Sequence, residues 1–185
     1  LEDKFVVGYS GNLGRAHDIS TILTVIEKLK YESNILFLFV GGGVGLNRIK
    51  KHTKENKLNN VMFKSYQDRD LLALSLNVAD VHWVTLNPKM EGFIVPSKFY
   101  GILAAGKPVI FIGDADGEIA RDIKRIGCGE CIDIGKSDKL ESIIKQYSDD
   151  PKYVTKMGGL GREEFCKSYD FPVAADKFTK LFNEI

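Results

Sequence analysis

A doubly wound α/β domain is predicted by three features of the sequence. Its strand-length apolar runs, such as ILFLFV and VIFI, are continuous and do not alternate with polar residues; glycine-rich turns, GNLG and GGG, end the first two of them; and helical stretches follow in series. Continuously apolar strands belong in a parallel sheet covered on both faces, and repeated strand–turn–helix units build such a sheet. The expected architecture is Rossmann-like, with about six parallel strands, helices on both faces and two extra helices at the C-terminus.

The first unit is KFVVGYS, the GNLG turn and DISTILTVIEKLK, which places Ile19, Ile22, Leu23, Ile26 and Leu29 on one helical face. The unit repeats as NILFLFVGGG with the polar helix LNRIKKHTKENK, and as NVMFKSY with DRDLLALSLNVA. DVHWVTL comes next, then a helix over 96–105, then PVIFIGD with EIARDIKRI. CIDIG and KLESIIKQYS close the series, and Asp138 with Glu141 reads as a capping box opening that helix. Beyond Pro151 two helical stretches, 151–168 and 172–185, run without a further strand. In the last, Val173, Ala174, Phe178, Leu181 and Phe182 form an apolar face, with Asp176, Lys177, Lys180 and Glu184 at polar positions.

The 185 residues are enough for one well-filled core and are read as a single domain, 1–185. A net charge of +1 excludes a whole-surface nucleic-acid binder, which would be strongly basic. No apolar run approaches the roughly 20 residues of a membrane span, and LEDKFVVGYS is no signal peptide, so a cytoplasmic protein is expected. Three cysteines fit a reducing compartment. Cys128 and Cys131 form a CxxC, but on a strand that spacing turns the two side chains to opposite faces, unlike a redox pair opening a helix.

Several motifs fail on context. GILAAGKP resembles a P-loop, but Pro108 stands at the hydroxyl position and the segment runs from helix into strand, the reverse of a P-loop. GYSGNLG misses the dinucleotide fingerprint at Tyr9, and GGGVGL misses it at Leu46. Asp68 with Asp70 and Asp114 with Asp116 precede helices, where Asp serves as cap and dipole partner, so no metal site and no cofactor are expected. Two features remain. GNLGR joins a close-approach backbone to Arg15, and VPSK opens a helix with Pro96 in its first turn and Ser97 and Lys98 at its free N–H end. Both lie where open α/β sheets bind ligands, and together they favour a diphosphate.

The order YSGNLGRAHD, LFVGGG, VMFKSY, ADVHWVTL, EGFIVPSKFYGILAAGKPVI, DGEIARDI resembles, nearly end to end, the nucleotide-sugar-binding C-terminal half of retaining GT-B glycosyltransferases of group 1, of the kind that assembles bacterial polysaccharides. The EGF…PSK…LAAGKPVI block is the specific part. The resemblance implies that Gly11, Asn12 and Gly14 lie beside the donor diphosphate, with Asn12 or Arg15 in place of a phosphate-binding Arg and His17 in place of a Lys. Gly41, Gly42 and Gly43, with Lys64, Ser65 and Tyr66, would border the nucleobase and ribose. Glu91 would be the first Glu of the E-x7-E motif and position the donor sugar, and the backbone N–H groups of Phe93 and Ile94 would approach sugar and diphosphate. The second Glu of that motif falls at Phe99, with Lys98 the nearest polar residue.

The same resemblance implies a UDP- or GDP-linked sugar as donor, a sugar or lipid-linked acceptor bound by a separate N-terminal domain, and no metal. It further implies peripheral association of the longer enzyme with the inner face of the membrane, and little activity in the donor domain by itself. LEDKF reads as a boundary near an interdomain linker, and the final helix as one that crosses back to the other domain. An epimerase of the same fold would require acid/base groups, and the three histidines do not cluster in sequence. A noncatalytic nucleotide-binding module would keep the fold and lose the pocket.

Overall fold

The computed structural model describes residue 1 and residues 3–183; Glu2, Glu184 and Ile185 lie outside the described residues, so the polar position read at Glu184 does too. Six strands, β1 (Phe5–Asn12), β2 (Ile35–Gly42), β3 (Val61–Lys64), β4 (Val81–Thr85), β5 (Val109–Ile112) and β6 (Gly129–Ile132), form one parallel sheet in the order β3-β2-β1-β4-β5-β6. The α-helices among the described residues are α1 (Ser20–Lys28), α2 (Val44–Glu55), α3 (Leu72–Asn77), α4 (Lys98–Ala104), α5 (Glu118–Ile126), α6 (Ser137–Asp149), α7 (Pro151–Ser168) and α8 (Phe171–Asn183), with short 3-10 turns at Arg69–Leu71 and Pro88–Met90. Strand order reverses between β1 and β4, which makes their carboxyl ends the switch point of the sheet.

The continuous apolar strands serve two large cores and a small third cluster of Val6, Leu38, Val40 and Ala79. Trp83, Ile110 and Ile112 enter one with Tyr9, Phe37, Phe39 and the inner faces of α1, α2 and α6. Val84, Val109 and Phe111 enter the other with Phe99, Leu103, Ile119 and Ile123. Neighbouring strand residues point to opposite faces, so a strand buried on both sides must be apolar throughout. The first helix buries Ile19, Ile22, Val25, Ile26 and Leu29, while Leu23 is only partly buried.

The structure corrects three local expectations. Asp138 and Glu141 do not close a capping box: α6 begins after Lys136, and both carboxylates pair with Lys28, tying α6 to α1. Pro96 precedes the Ser97 cap of α4 and is not in its first turn. Cys128 lies just before β6, so the CxxC does not span opposite faces; both cysteines pack against the α4–α5 core. Burial pushes the Cys128 thiol up to about 12 and that of Cys131 to about 11, the reverse of an activated pair. GILAAGKP does run from α4 into β5, where Gly158 of α7 approaches so closely that a Cβ would meet the Gly106 carbonyl at 2.1 Å. In α8, Phe178, Leu181 and Phe182 are exposed.

His82 of β4 is buried, its Nε2–H donating to the Leu76 carbonyl at 2.8 Å while Nδ1 has no partner. Burial pushes the imidazole down to about 4, Lys107 adding to the shift and the Leu76 carbonyl opposing it. The unfolded chain therefore takes up this proton first, near pH 6.5, and the stabilisation is lost as pH falls from there towards 4. Unfolding free energy is expected to drop by about 2 kcal/mol between pH 7.5 and 5 from this group. Urea melts at the two pH values check this, and the part of the drop due to His82 should vanish in His82→Gln.

Candidate functional site

At the β1–β4 switch point a groove of about 330 Å³ opens between the sheet and helices α3 and α4. Its floor is the buried pair His82 and Trp83, and its rim includes Gly11, Tyr66, Ser97 and Lys98. A larger hollow of about 470 Å³ lies at the opposite, amino-terminal edge, walled by Asp3, Asn34 and Pro108 among others. The smaller groove is the better candidate, because backbone N–H groups and glycine turns gather at strand carboxyl ends.

Lys98 is the cation of this groove. It begins α4 and reaches back across the end of β1, its Nζ 5.6 Å from the centre of the Tyr9 ring. Gly11 makes room: at φ +121 it has no Cβ, and one built there would lie 2.6 Å from Lys98 Cε. Burial lowers the Lys98 pKa. A partly desolvated ammonium in that position gains from any anion that enters.

His17 stands behind it. Its Nδ1–H donates to the Thr85 carbonyl at 2.6 Å and its ring meets Tyr9 edge-on, centroids 6.5 Å apart. Burial holds its pKa below the ordinary histidine value, the Lys98 charge adds to this, and the Thr85 carbonyl opposes it. At neutral pH it is an oriented neutral ring, in contrast to the cationic Lys whose place the resemblance gave it. The Tyr9 hydroxyl donates to the Asn12 carbonyl at 2.8 Å, and burial pushes that phenol up, so it stays protonated.

Of the residues singled out from sequence, Gly11, Tyr66, Ser97 and Lys98 line the groove together. Asn12 and His17 adjoin them through Tyr9, Gly41 backs directly onto Gly11, and Gly42 lies beneath the Tyr66 ring. Gly14 and Arg15 follow β1 at the same edge, with Arg15 exposed and outside the groove wall. Lys64 and Ser65 are exposed at the end of β3 and also stand outside it. Phe93 and Ile94 are exposed on the loop before α4. Glu91 packs against Gly117 at the start of α5, one carboxylate oxygen buried without a hydrogen-bond partner. Arg15, expected to share one pocket with Ser97 and Lys98, does not.

Phe99 points into the α4–α5 core, fully buried. The groove face of α4 instead carries Lys98, Gly101 and Ile102. Gln67, Ser75, His82 and Trp83 also line the groove and were not anticipated. Their sequence context, a polar loop, a helix and an apolar strand, carries no motif.

Comparison with known proteins bears on this geometry. The family described as "Glycosyl transferases group 1" matches residues 1–164. A Pseudomonas aeruginosa protein named "Probable glycosyltransferase WbjE" is 29% identical over 175 residues, which is 95% of this chain and 43% of that protein. Among solved structures, sucrose-phosphate synthase from Thermosynechococcus elongatus superposes with a TM-score of 0.82 at 23% identity, covering 98% of this chain and 45% of that one. Anabaena Alr3699/HepE in complex with UDP-glucose superposes with a TM-score of 0.79 at 15% identity, covering 99% and 50%. The chain thus spans half or less of the length of these relatives.

Proposed function

The chain belongs to the group 1 glycosyl transferases, and from that premise we propose that it is the donor-binding domain of a retaining, hexosyl-transferring enzyme. The donor in this reading is a UDP- or GDP-linked sugar, and the acceptor, a polysaccharide or lipid-linked sugar, binds to a separate N-terminal domain. The enzyme works in the cytoplasm at the inner face of the membrane, and this domain by itself turns over little. The observation that carries the reading is Lys98, desolvated and laid across Gly11 at the switch point of the sheet. A solved neighbour, HepE, was captured with UDP-glucose, which supports a nucleotide sugar as the ligand class.

In the transfer step the bond between the sugar C1 and the diphosphate oxygen breaks and C1 bonds to the acceptor hydroxyl oxygen, so negative charge grows on the departing phosphate until it takes the acceptor's proton. Lys98 and the backbone N–H groups at the end of β1 and the start of α4 meet that charge as fixed partners in a partly water-excluded groove. His17, neutral and held by Thr85, is an oriented wall beside them. No residue of this chain is assigned as nucleophile.

The testing experiment is a thermal-shift screen of UDP, GDP and their sugar conjugates, because a ligand that binds only the folded state raises its melting temperature. A rise with at least one of them is expected, unchanged in EDTA because cations of the chain meet the diphosphate charge. Loss of the shift in EDTA would move that role to a metal held by the Asp pairs. In the full-length enzyme, Glu91→Gln is expected to lower turnover by about tenfold or more while leaving nucleoside diphosphate affinity nearly unchanged, since its role is assigned to the sugar. Equal losses in both would reject that role.

A further inference from the structure

The charge of this chain is unevenly placed. Residues 44–64 hold six of its 26 Lys and Arg but one of its 25 Asp and Glu, leaving 20 against 24 for the rest. Arg48, Lys50, Lys51 and Lys54 of α2, with Lys57 and Lys64, are all exposed. Among the described residues the ion pairs of this set reduce to Lys51 with Glu55. Lys50 lies over the Phe63 ring at 5.5 Å, so the basic face of α2 continues onto β3, the edge strand of the sheet.

On the other side of the same edge the surface is apolar. A hollow of about 580 Å³ is lined by Met62, Lys64, Leu71, Leu74 and Val78 among others. Leu74 is 67% exposed, Leu71 44% and Val78 46%. The cause lies in the fold: α3 is a six-residue helix that buries only Leu76, too short to cover β2 and β3. Asp68 and Asp70, on the turn before α3, are exposed close by in sequence, and among the described residues no acid lines the hollow itself. Lysines alone guard a strand edge against pairing, but exposed leucines beside them have the opposite effect.

We propose that the β3 edge, with the basic face of α2 and the Leu71–Leu74 hollow, is a docking surface for an anionic lipid bilayer. Cations meet the headgroup phosphates while the leucines enter the interface beside them, the pairing of charge and apolar area that surface-bound proteins use. A soluble polyanion would engage the lysines and leave the leucines idle. The proposal deepens the membrane-face element of the function above and rests on that reading; the hollow adjoins the groove at Val40, Gln67 and Ser75, while Lys98, Ser97 and Gly11 lie outside it.

The test is co-sedimentation of the chain with phosphatidylcholine vesicles and with vesicles of equal parts phosphatidylcholine and phosphatidylglycerol. Binding to the anionic vesicles alone is expected, weakening as salt is raised. Lys50→Glu, Lys54→Glu and Lys57→Glu together should lower partitioning by well over a hundredfold, because removing three cations alone gives about a hundredfold at about fivefold each and the new carboxylates add repulsion. The Lys→Gln triple variant should give an intermediate loss and guards against misfolding of the first, with far-UV circular dichroism and urea midpoints as the check on both. Leu71→Ser with Leu74→Ser should also lower binding while preserving its salt dependence. The proposal is overturned if the parent ignores anionic vesicles, if the lysine variants bind like the parent, or if the leucine variants do so while heparin competes fully, which would mark a soluble polyanion. Thermal shift with UDP and GDP on the same samples separates the two readings: vesicle binding without a nucleotide shift rejects the donor site alone, and the converse rejects the docking surface alone.

Discussion

Gly41→Ala is expected to cost on the order of 3–5 kcal/mol of folding free energy, a large share of a typical domain's stability of about 5–15 kcal/mol. Gly41 pairs with Gly11 one residue before the end of β2, at φ +130, a region that alanine enters only with strain, and a Cβ there would lie 2.3 Å from the Gly11 carbonyl oxygen. Backbone cannot yield as a flexible side chain does, so the two penalties add. In a thermal melt the loss should appear as a fall of about 10 °C or more. Gly159→Ala is the control. It sits in α7 with nothing within 4 Å of a built Cβ, and the substitution should stabilise by about 0.5–1 kcal/mol through helix propensity alone. Similar effects at both positions would mean that the two glycine turns do not back onto each other as described. Because Gly11 also makes room for Lys98, any folded Gly41→Ala protein should bind nucleoside diphosphate more weakly as well.

Lys98→Ala should weaken binding of the nucleoside diphosphate that gives the larger thermal shift by roughly 10- to 100-fold, the range for loss of a charge-assisted contact in a partly desolvated site. Arg15→Ala should cost less than about threefold, because an exposed cation outside the groove wall is screened and conformationally free. Isothermal titration of the two variants against the parent decides between them. A larger loss for Arg15 would return the phosphate role to the GNLGR turn and reject Lys98 as the principal cation. The two side chains differ in placement: burial has taken part of the hydration of Lys98 before a ligand arrives, while Arg15 is exposed.

The sequence by itself determined the elements and their order: the apolar runs that became β1 to β6, the helices between them, and the parallel, doubly wound sheet. These follow from local period and from the demand that a strand buried on both faces be apolar throughout, and both are readable from residues near one another in the chain. It also marked Gly11, Tyr66, Ser97 and Lys98, which the structure gathers around one groove. It misjudged positions that depend on where an element starts or what lies opposite. α4 opens at Lys98 and not at Pro96, and packing against α5 takes Phe99 into the core while Gly101 faces the groove. Asp138 and Glu141, at good spacing for a capping box, were drawn off by Lys28 from a helix far away in sequence. His82 and Trp83 looked like two more residues of an apolar strand, and only the adjacency of β1 and β4 made them the floor of a groove. That adjacency, the half-buried, neutral ring of His17 and the short α3 that leaves Leu71 and Leu74 uncovered all depend on contacts between distant segments, which no local pattern encodes.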